Sequence, residues 1–295
     1  MSGVATDSEA TGAMIDPATR IGTVRLTVRD ADTAREFYER AIGLQTLEHG
    51  GDTVRLGVDG EVLVELRGDA DAAAPPPAST GLFHLAVLVP TRRDLAAALQ
   101  RVVGTGWPLD GASDHLVSEA LYLTDPDGNG IEIYRDRPRD EWRYENGSPQ
   151  MATLPLDLRE LGAEPGGERS EPGGMRSETR IGHVHLRVAD LAEAEAFYAG
   201  LLGFEVTVRG YPGALFVSAG GYHHHVGLNT WAGAGAAPPP PGSIGLRSFE
   251  IVLPGVDQLD AISERLGAAG LEPERVDGGL LTHDPSRNGV LLVAG

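Results

Sequence analysis

The chain repeats itself, and that repeat narrows its possible folds more than any other feature. Ile21-Gly-Thr-Val-Arg-Leu returns as Ile181-Gly-His-Val-His-Leu. The correspondence continues through Asp30 and Asp190, Phe37-Tyr38 and Phe197-Tyr198, and Gly43 and Gly203, always 160 positions apart. A second pair opens at Gly81-Leu82-Phe83-His84 and Gly245-Leu246-Arg247-Ser248, then runs through Pro90 and Pro254 to Asp125-Pro126 and Asp284-Pro285. Four modules of about 50 residues result, near 21–68, 82–136, 181–231 and 245–295.

Each module reads as βαβββ. It opens with an alternating segment such as Thr23-Val-Arg-Leu-Thr-Val or His183-Val-His-Leu-Arg-Val, the period of a strand with one buried face. A helical stripe follows: Ala34, Phe37, Tyr38 and Ala41 in the first module, and Ala194, Phe197, Tyr198 and Leu201 in the third. The stripe is Leu95, Leu99, Val102 and Val103 in the second module, and Val256, Leu259, Ile262 and Leu266 in the fourth. Asp30 and Asp190 are placed to cap helices, Gly43 and Gly203 to end them. Shorter β segments close the unit, as in Ala120-Leu-Tyr-Leu-Thr, the turn Asp125-Pro-Asp-Gly-Asn-Gly, and Ile131-Glu-Ile-Tyr.

One sheet with one helix leaves an apolar face uncovered, so modules must pair. The expected fold class is α+β, four βαβββ modules paired into two curved barrel-like domains. The expected organisation is a loose tail over 1–20, a first half over 21–136, a polar connector over 137–180 and a second half over 181–295.

Composition removes several functions. Acidic residues number 43 against 24 basic ones, for a formal charge of −19, and every basic residue is Arg. Nucleic acid and anionic membrane both need a positive surface, so neither is an expected partner. The absence of Cys removes disulfides, thiolate ligands, a Cys nucleophile and iron–sulfur clusters. No apolar run approaches the roughly 18 residues of a membrane span, and the acidic start does not read as a leader. A cytoplasmic protein is expected, and a homo-oligomer is compatible with the sequence.

Chemistry is sought where equivalent positions of the modules face one cup. On the opening strands these are Thr23, His84, His183 and Ser248; on the closing strands, Glu65, Glu132, Gly227 and Leu291. Two His and one carboxylate on a rigid sheet form the facial triad of non-haem Fe(II), which leaves open positions for a chelating substrate and O2. His84, His183 and Glu132 are the candidate ligands, while Glu65 reads as a solvent-side strand residue. A lone strand His is more often a satisfied core residue; it is the three slots together that point to a metal. The second module is expected to pair with the third around the metal, because that arrangement uses every candidate His, gathers this set in one cup and leaves Thr23, Glu65, Ser248 and Leu291 as a structural shell. Pairing the first with the second would instead gather Glu65, His84 and Glu132, with His183 idle. Tyr222-His223-His224-His225 is a solvated turn or, by alternation, points one or two imidazoles inward. His115 and Tyr122, bland if on the surface, become proton-donor candidates beside an open metal. Leu281 and Leu291 hold the fourth-module positions of Tyr122 and Glu132, so the fold itself does not demand those polar residues.

The stretch His115-x5-Leu121-Tyr122-x2-Asp125-Pro126-x-Gly128-x3-Glu132 resembles the signature of extradiol ring-cleaving dioxygenases in the vicinal oxygen chelate (glyoxalase/bleomycin-resistance) superfamily. Its departure is Ser113, where that signature usually carries another small or aliphatic residue. The segment His224-x-x-Gly227-Leu228 is similar to the one that carries the family's second catalytic His. Within the family, the likeness is to the catechol-2,3-dioxygenase type and covers nearly all of 20–295. It implies the glyoxalase/extradiol dioxygenase fold, an aromatic diol and O2 as substrates, and Fe(II), or else Mn(II), held by His84, His183 and Glu132. His224 would handle protons near O2, and His115 and Tyr122 would hydrogen-bond the diol. Many relatives keep the site in the last two modules; here Ser248 and Leu291 preclude that. Two alternatives stand beside this reading. One is another metal-dependent enzyme of the fold, an isomerase or thiol transferase, although Gly227 leaves empty the fourth-ligand slot that glyoxalase I-like isomerases use. The other is a metal-free protein that sequesters an aromatic drug.

Overall fold

A computed structural model describes residues 14–145, 147–165 and 174–295. Each module is a strand, a helix and three further strands, the first strand lying parallel to the last. In the second module Gly81–Leu88 is followed by the helix Arg92–Thr105, then by Gly111–Asp114, Ser118–Thr124 and Gly130–Asp136. In the third, Arg180–Arg187 leads into the short helix Leu191–Glu195, then Glu205–Val208, Ala214–Ser218 and Val226–Asn229.

The second and third modules share one sheet through antiparallel pairing of Gly81–Leu88 with Arg180–Arg187, and the short strand Leu154–Pro155 extends it to nine strands. The first and fourth share an eight-stranded sheet, joined by Arg20–Val28 and Gly245–Leu253. This is the α+β architecture of curved mixed sheets expected from the repeat. The first module meets the second, and the third meets the fourth, through their helices instead. Tyr38 at the end of the first helical segment donates to Asp125 of the second module, and Tyr198 donates to Asp284 of the fourth, at 3.3 and 3.2 Å. Both aspartates also accept from an asparagine four residues on, Asn129 and Asn288, so each buried turn is internally satisfied.

The helix signals were sound at the ends. Asp30 accepts from the N–H groups of Asp32 and Thr33, Asp190 from those of Ala192 and Glu193, and Gly43 takes a left-handed φ of 95°. In the first and third modules the helix widens into a π-helical turn, Tyr38–Ile42 and Ala196–Leu201. Two stripe residues need correction. Val103 is 65% exposed and Val256 59%, because each lies at the edge of its helix's buried arc. A third correction concerns Glu65, which is buried among Arg25, Arg55 and Arg247 and does not face solvent. Residues 14–19 are not loose either: Ile15 is buried and its N–H donates to the Gly203 carbonyl, while Asp16 pairs with Gln258. The remainder of the expected tail, 1–13, lies outside the described residues, as do 166–173 of the connector. Among the described residues no helix is long and apolar enough to cross a membrane.

Candidate metal centre and substrate cavity

The seam between the second and third modules sets the geometry. In its register Ala86 stands opposite His183, and His84 opposite His185. On the next strand Glu132 lies beside Ala86, and beyond it Tyr122 lies beside Glu132. Laterally paired strand residues point to the same face, and so do residues two apart, so all of these side chains enter one cup. The small methyl of Ala86 leaves space between Glu132 and His183. Into that space the three polar groups converge: Glu132 Oε2 is 3.1 Å from His183 Nε2 and 3.0 Å from His84 Nε2. They form a group of three buried potential ligands, identified as such among the described residues.

These distances fit a metal better than a hydrogen-bonded core. Two donors about 2.1 Å from one ion and at right angles are separated by about 3.0 Å. His84 Nε2, although near Glu132, is out of line for a hydrogen bond and remains a buried nitrogen without a partner. A purely structural cluster would not leave such an orphan at its centre. Burial works to raise the Glu132 carboxyl, but His183 and then His84 outweigh it and hold the acid well below the ordinary range. Burial lowers His183 to about 4 against the opposing pull of Glu132. The set is one carboxylate and a neutral imidazole from His183 at neutral pH, the donor state that a divalent ion requires.

Above the centre opens a cavity of about 320 Å³. His115 and Tyr122 line one side. His115 Nδ1 donates to the carbonyl of Ala152 at 2.7 Å, so its Nε2 carries the lone pair that accepts from the Tyr122 hydroxyl, also at 2.7 Å. Burial and the neighbouring Glu132 carboxylate push the Tyr122 hydroxyl well above its usual range, keeping it protonated. On another side His224 packs its ring 4.1 Å from that of His183. Burial, followed by the surrounding imidazoles, lowers His224 well below the normal histidine range. Behind it, His223 Nδ1 meets His224 Nδ1 at 2.8 Å, and His223 Nε2 donates to Asp136 at 2.9 Å. Of the triple-His segment, then, His224 faces the cavity and His223 supports it. His225 turns away, its Nδ1 accepting from the N–H of Ala219.

All six candidate site residues are thus gathered at one place. Thr23, Ser248 and Leu291 lie in the other sheet. Several features of the cavity were not read from the sequence. Phe83, Phe216, Tyr211 and Trp231 form an aromatic wall. Met151, Ala152 and Thr153, from the segment read as a polar connector, close another side. His185, which the two-residue strand period from His183 could have flagged, also lines the cavity. Nothing in the composition of 137–180 announced that part of it is a wall of the site.

The family model described as Glyoxalase/Bleomycin resistance protein/Dioxygenase superfamily matches residues 20–133 and 180–288. A protein of Bacillus subtilis (strain 168) named catechol-2,3-dioxygenase is 45% identical over 272 residues, 90% of this chain and 94% of its own length. Among solved structures, glyoxalase I from Zea mays aligns with a TM-score of 0.57 at 17% identity, over 94% of this chain and 92% of its own. The cppA protein from Streptococcus pneumoniae TIGR4 aligns with a TM-score of 0.56 at 11% identity, over 94% of this chain and 97% of its own. Likeness to these two concerns the fold alone.

Proposed function

Because the chain belongs to the glyoxalase/bleomycin-resistance/dioxygenase superfamily, we propose that it acts as an Fe(II)-dependent extradiol dioxygenase, a catechol-2,3-dioxygenase in type. The reaction breaks the ring carbon–carbon bond next to the diol and places both atoms of O2 in the product. The observation that carries this reading is the convergence of His84, His183 and Glu132 on one point beneath an aromatic-walled cavity. The relative that is 45% identical supports it.

In this reading His84, His183 and Glu132 would hold Fe(II). When bound, the ion would supply Lewis acidity towards the diol and the redox chemistry that lets O2 react. Everything else falls to the protein. Phe83, Phe216 and Trp231 give the ring an apolar, aromatic wall. Tyr122 and His115, already joined by a hydrogen bond, form a polar edge against which one diol oxygen is oriented. His224, held as a neutral imidazole, takes a proton from the substrate and returns it during ring opening.

The test is oxygen uptake with catechol by protein loaded anaerobically with Fe(II), read together with the yellow colour of the ring-opened product. Uptake that depends on both iron and catechol supports the reading. Iron-loaded protein that consumes no O2 with any of a panel of catechols defeats it.

A further inference from the structure

We infer that His185, made possible by Gly227 beside it, is a substrate-contacting residue that determines how tightly the cavity holds its diol. This inference rests on the proposed dioxygenase reading and adds a residue that lies outside the triad, the His115–Tyr122 edge and His224.

Three observations carry it. First, His185 lines the cavity and is 4% exposed, yet its Nε2 is a buried nitrogen with no hydrogen-bond partner. Its ring sits within the aromatic wall, 5.2 Å from Phe83 and from Trp231 and 5.7 Å from Phe216, and 5.0 Å from His84. It is not one of the three groups that converge as potential ligands. A buried polar atom left unpaired in this way costs stability unless something else pairs with it.

Second, the fold makes room for this ring. Gly227 stands opposite His185 in the strand register, and a Cβ there would lie 2.9 Å from the imidazole Cγ and Cδ2. Any other residue at 227 would push the ring aside. Gly227 thus has a steric role, quite apart from leaving a ligand slot empty.

Third, the chain contains its own control. The same two slots in the other sheet are Arg25 and Glu65, also opposite each other in register. There Arg25 Nε lies 3.7 Å from Glu65, and Arg25 Nη2 lies 2.6 Å from Glu250. In the other sheet the slots hold an ion pair, although Arg25 Nη1 there is likewise buried without a hydrogen-bond partner. The sheet with the cavity replaces the acid by glycine and leaves a ring nitrogen free. What sets His185 apart is that it lines the cavity, so the partner assigned to it is the ligand: a catechol whose ring rests against Phe83 and Trp231 and whose oxygen reaches Nε2.

The experiment compares wild type, His185→Leu, His185→Gln and Gly227→Ala, each as full-length protein loaded anaerobically with Fe(II). Iron is measured by elemental analysis, and anaerobic binding of 4-nitrocatechol by its visible absorption; KM and kcat for catechol follow. Iron content is expected to be unchanged throughout. Loss of one ligand hydrogen bond in His185→Leu should weaken 4-nitrocatechol binding and raise KM about tenfold. His185→Gln, which keeps a hydrogen-bonding group, should return binding to within about threefold of wild type. Gly227→Ala should weaken binding by displacing the ring, and it decides the matter should His185→Leu fail to fold. Binding unchanged in His185→Leu or in Gly227→Ala overturns the inference. So does loss of iron in His185→Leu, which would make His185 a ligand. Wild type that binds no iron or consumes no O2 with catechol fails the dioxygenase reading itself, whereas an active wild type with an indifferent His185 fails this inference alone.

Discussion

Glu132 Oε2 and His183 Nε2 stand 3.1 Å apart across the seam where the second and third modules meet. The two residues are 51 positions apart in the chain, and only the pairing of the two opening strands brings them together. Each of His84→Ala, His183→Ala and Glu132→Ala should therefore lower bound iron to below about a tenth of wild type, because two donors on a sheet do not hold the ion at working concentrations. Thr23→Ala and Ser248→Ala, at the equivalent slots of the other sheet, should keep full iron. Elemental analysis after anaerobic loading checks both halves, and iron retained in His183→Ala would remove the third module from the site.

The metal-free protein should lose stability as pH falls from about 6.5 towards 4. The folded His183 titrates at about 4 and the unfolded side chain near 6.5. Between those values the unfolded chain binds a proton that the folded chain refuses, so stability rises with pH across the window and is level above it. His183 alone contributes a loss of about 2 kcal/mol by pH 5. Burial shifts His185 and His224 in the same direction, which deepens the fall. Denaturant melts of the apoprotein at pH 7.5, 6 and 5 measure it; a flat midpoint would show that these imidazoles are not buried as described.

Ala86 is the floor over which the three donors meet, and it is fully buried. Ala86→Leu should place three further carbons between Glu132 and His183, and overpacking of this kind costs about 1–3 kcal/mol. The expected result is a folded protein by circular dichroism with little bound iron. Normal iron in Ala86→Leu would mean that the side chain does not face the cup.

Asp136 acts on the cavity through two imidazoles. It accepts from His223 Nε2–H, and the order that suits both contacts has His223 Nδ1 accepting from His224 Nδ1–H, which leaves the lone pair of His224 on Nε2, away from His223. Asp136→Asn can reverse this order by donating to His223. We expect unchanged iron, a KM within about threefold of wild type, and a kcat at least tenfold lower. His224→Phe should also keep iron and slow turnover, and the double variant should be no slower than His224→Phe alone, since residues acting as one unit do not add. Additive losses would separate the two residues.

His115→Ala removes the acceptor of the Tyr122 hydroxyl and frees the Ala152 carbonyl. Iron should stay bound and kcat/KM for catechol should drop about tenfold or more. A rate equal to wild type would reduce the pair to a structural link between the sheet and the connector.

The linear chain determined the module and its count. Apolar periods of two and 3.6, capping aspartates and the 160-residue repeat are local properties, set within a few residues of each position, and they made the βαβββ unit legible. They also marked the slots, because equivalent positions in a repeated fold face equivalent directions; His84, Glu132 and His183 stood out against Thr23, Ser248 and Leu291 on that ground. No local property of the chain shows which opening strands pair; the expectation of second with third rests only on its gathering both His ligands with Glu132. All four are alternating and apolar, so none carries a local mark of its partner, and the choice is settled by how whole sheets pack. That choice, made in three dimensions, joins Gly81–Leu88 to Arg180–Arg187. It buries Glu65 among arginines in the other sheet and folds 151–153 over the cavity. It also seats His185 in the space above Gly227. Burial and convergence are properties of distances between residues far apart in sequence, which is why the ligands could be nominated from the chain while the walls around them had to be seen.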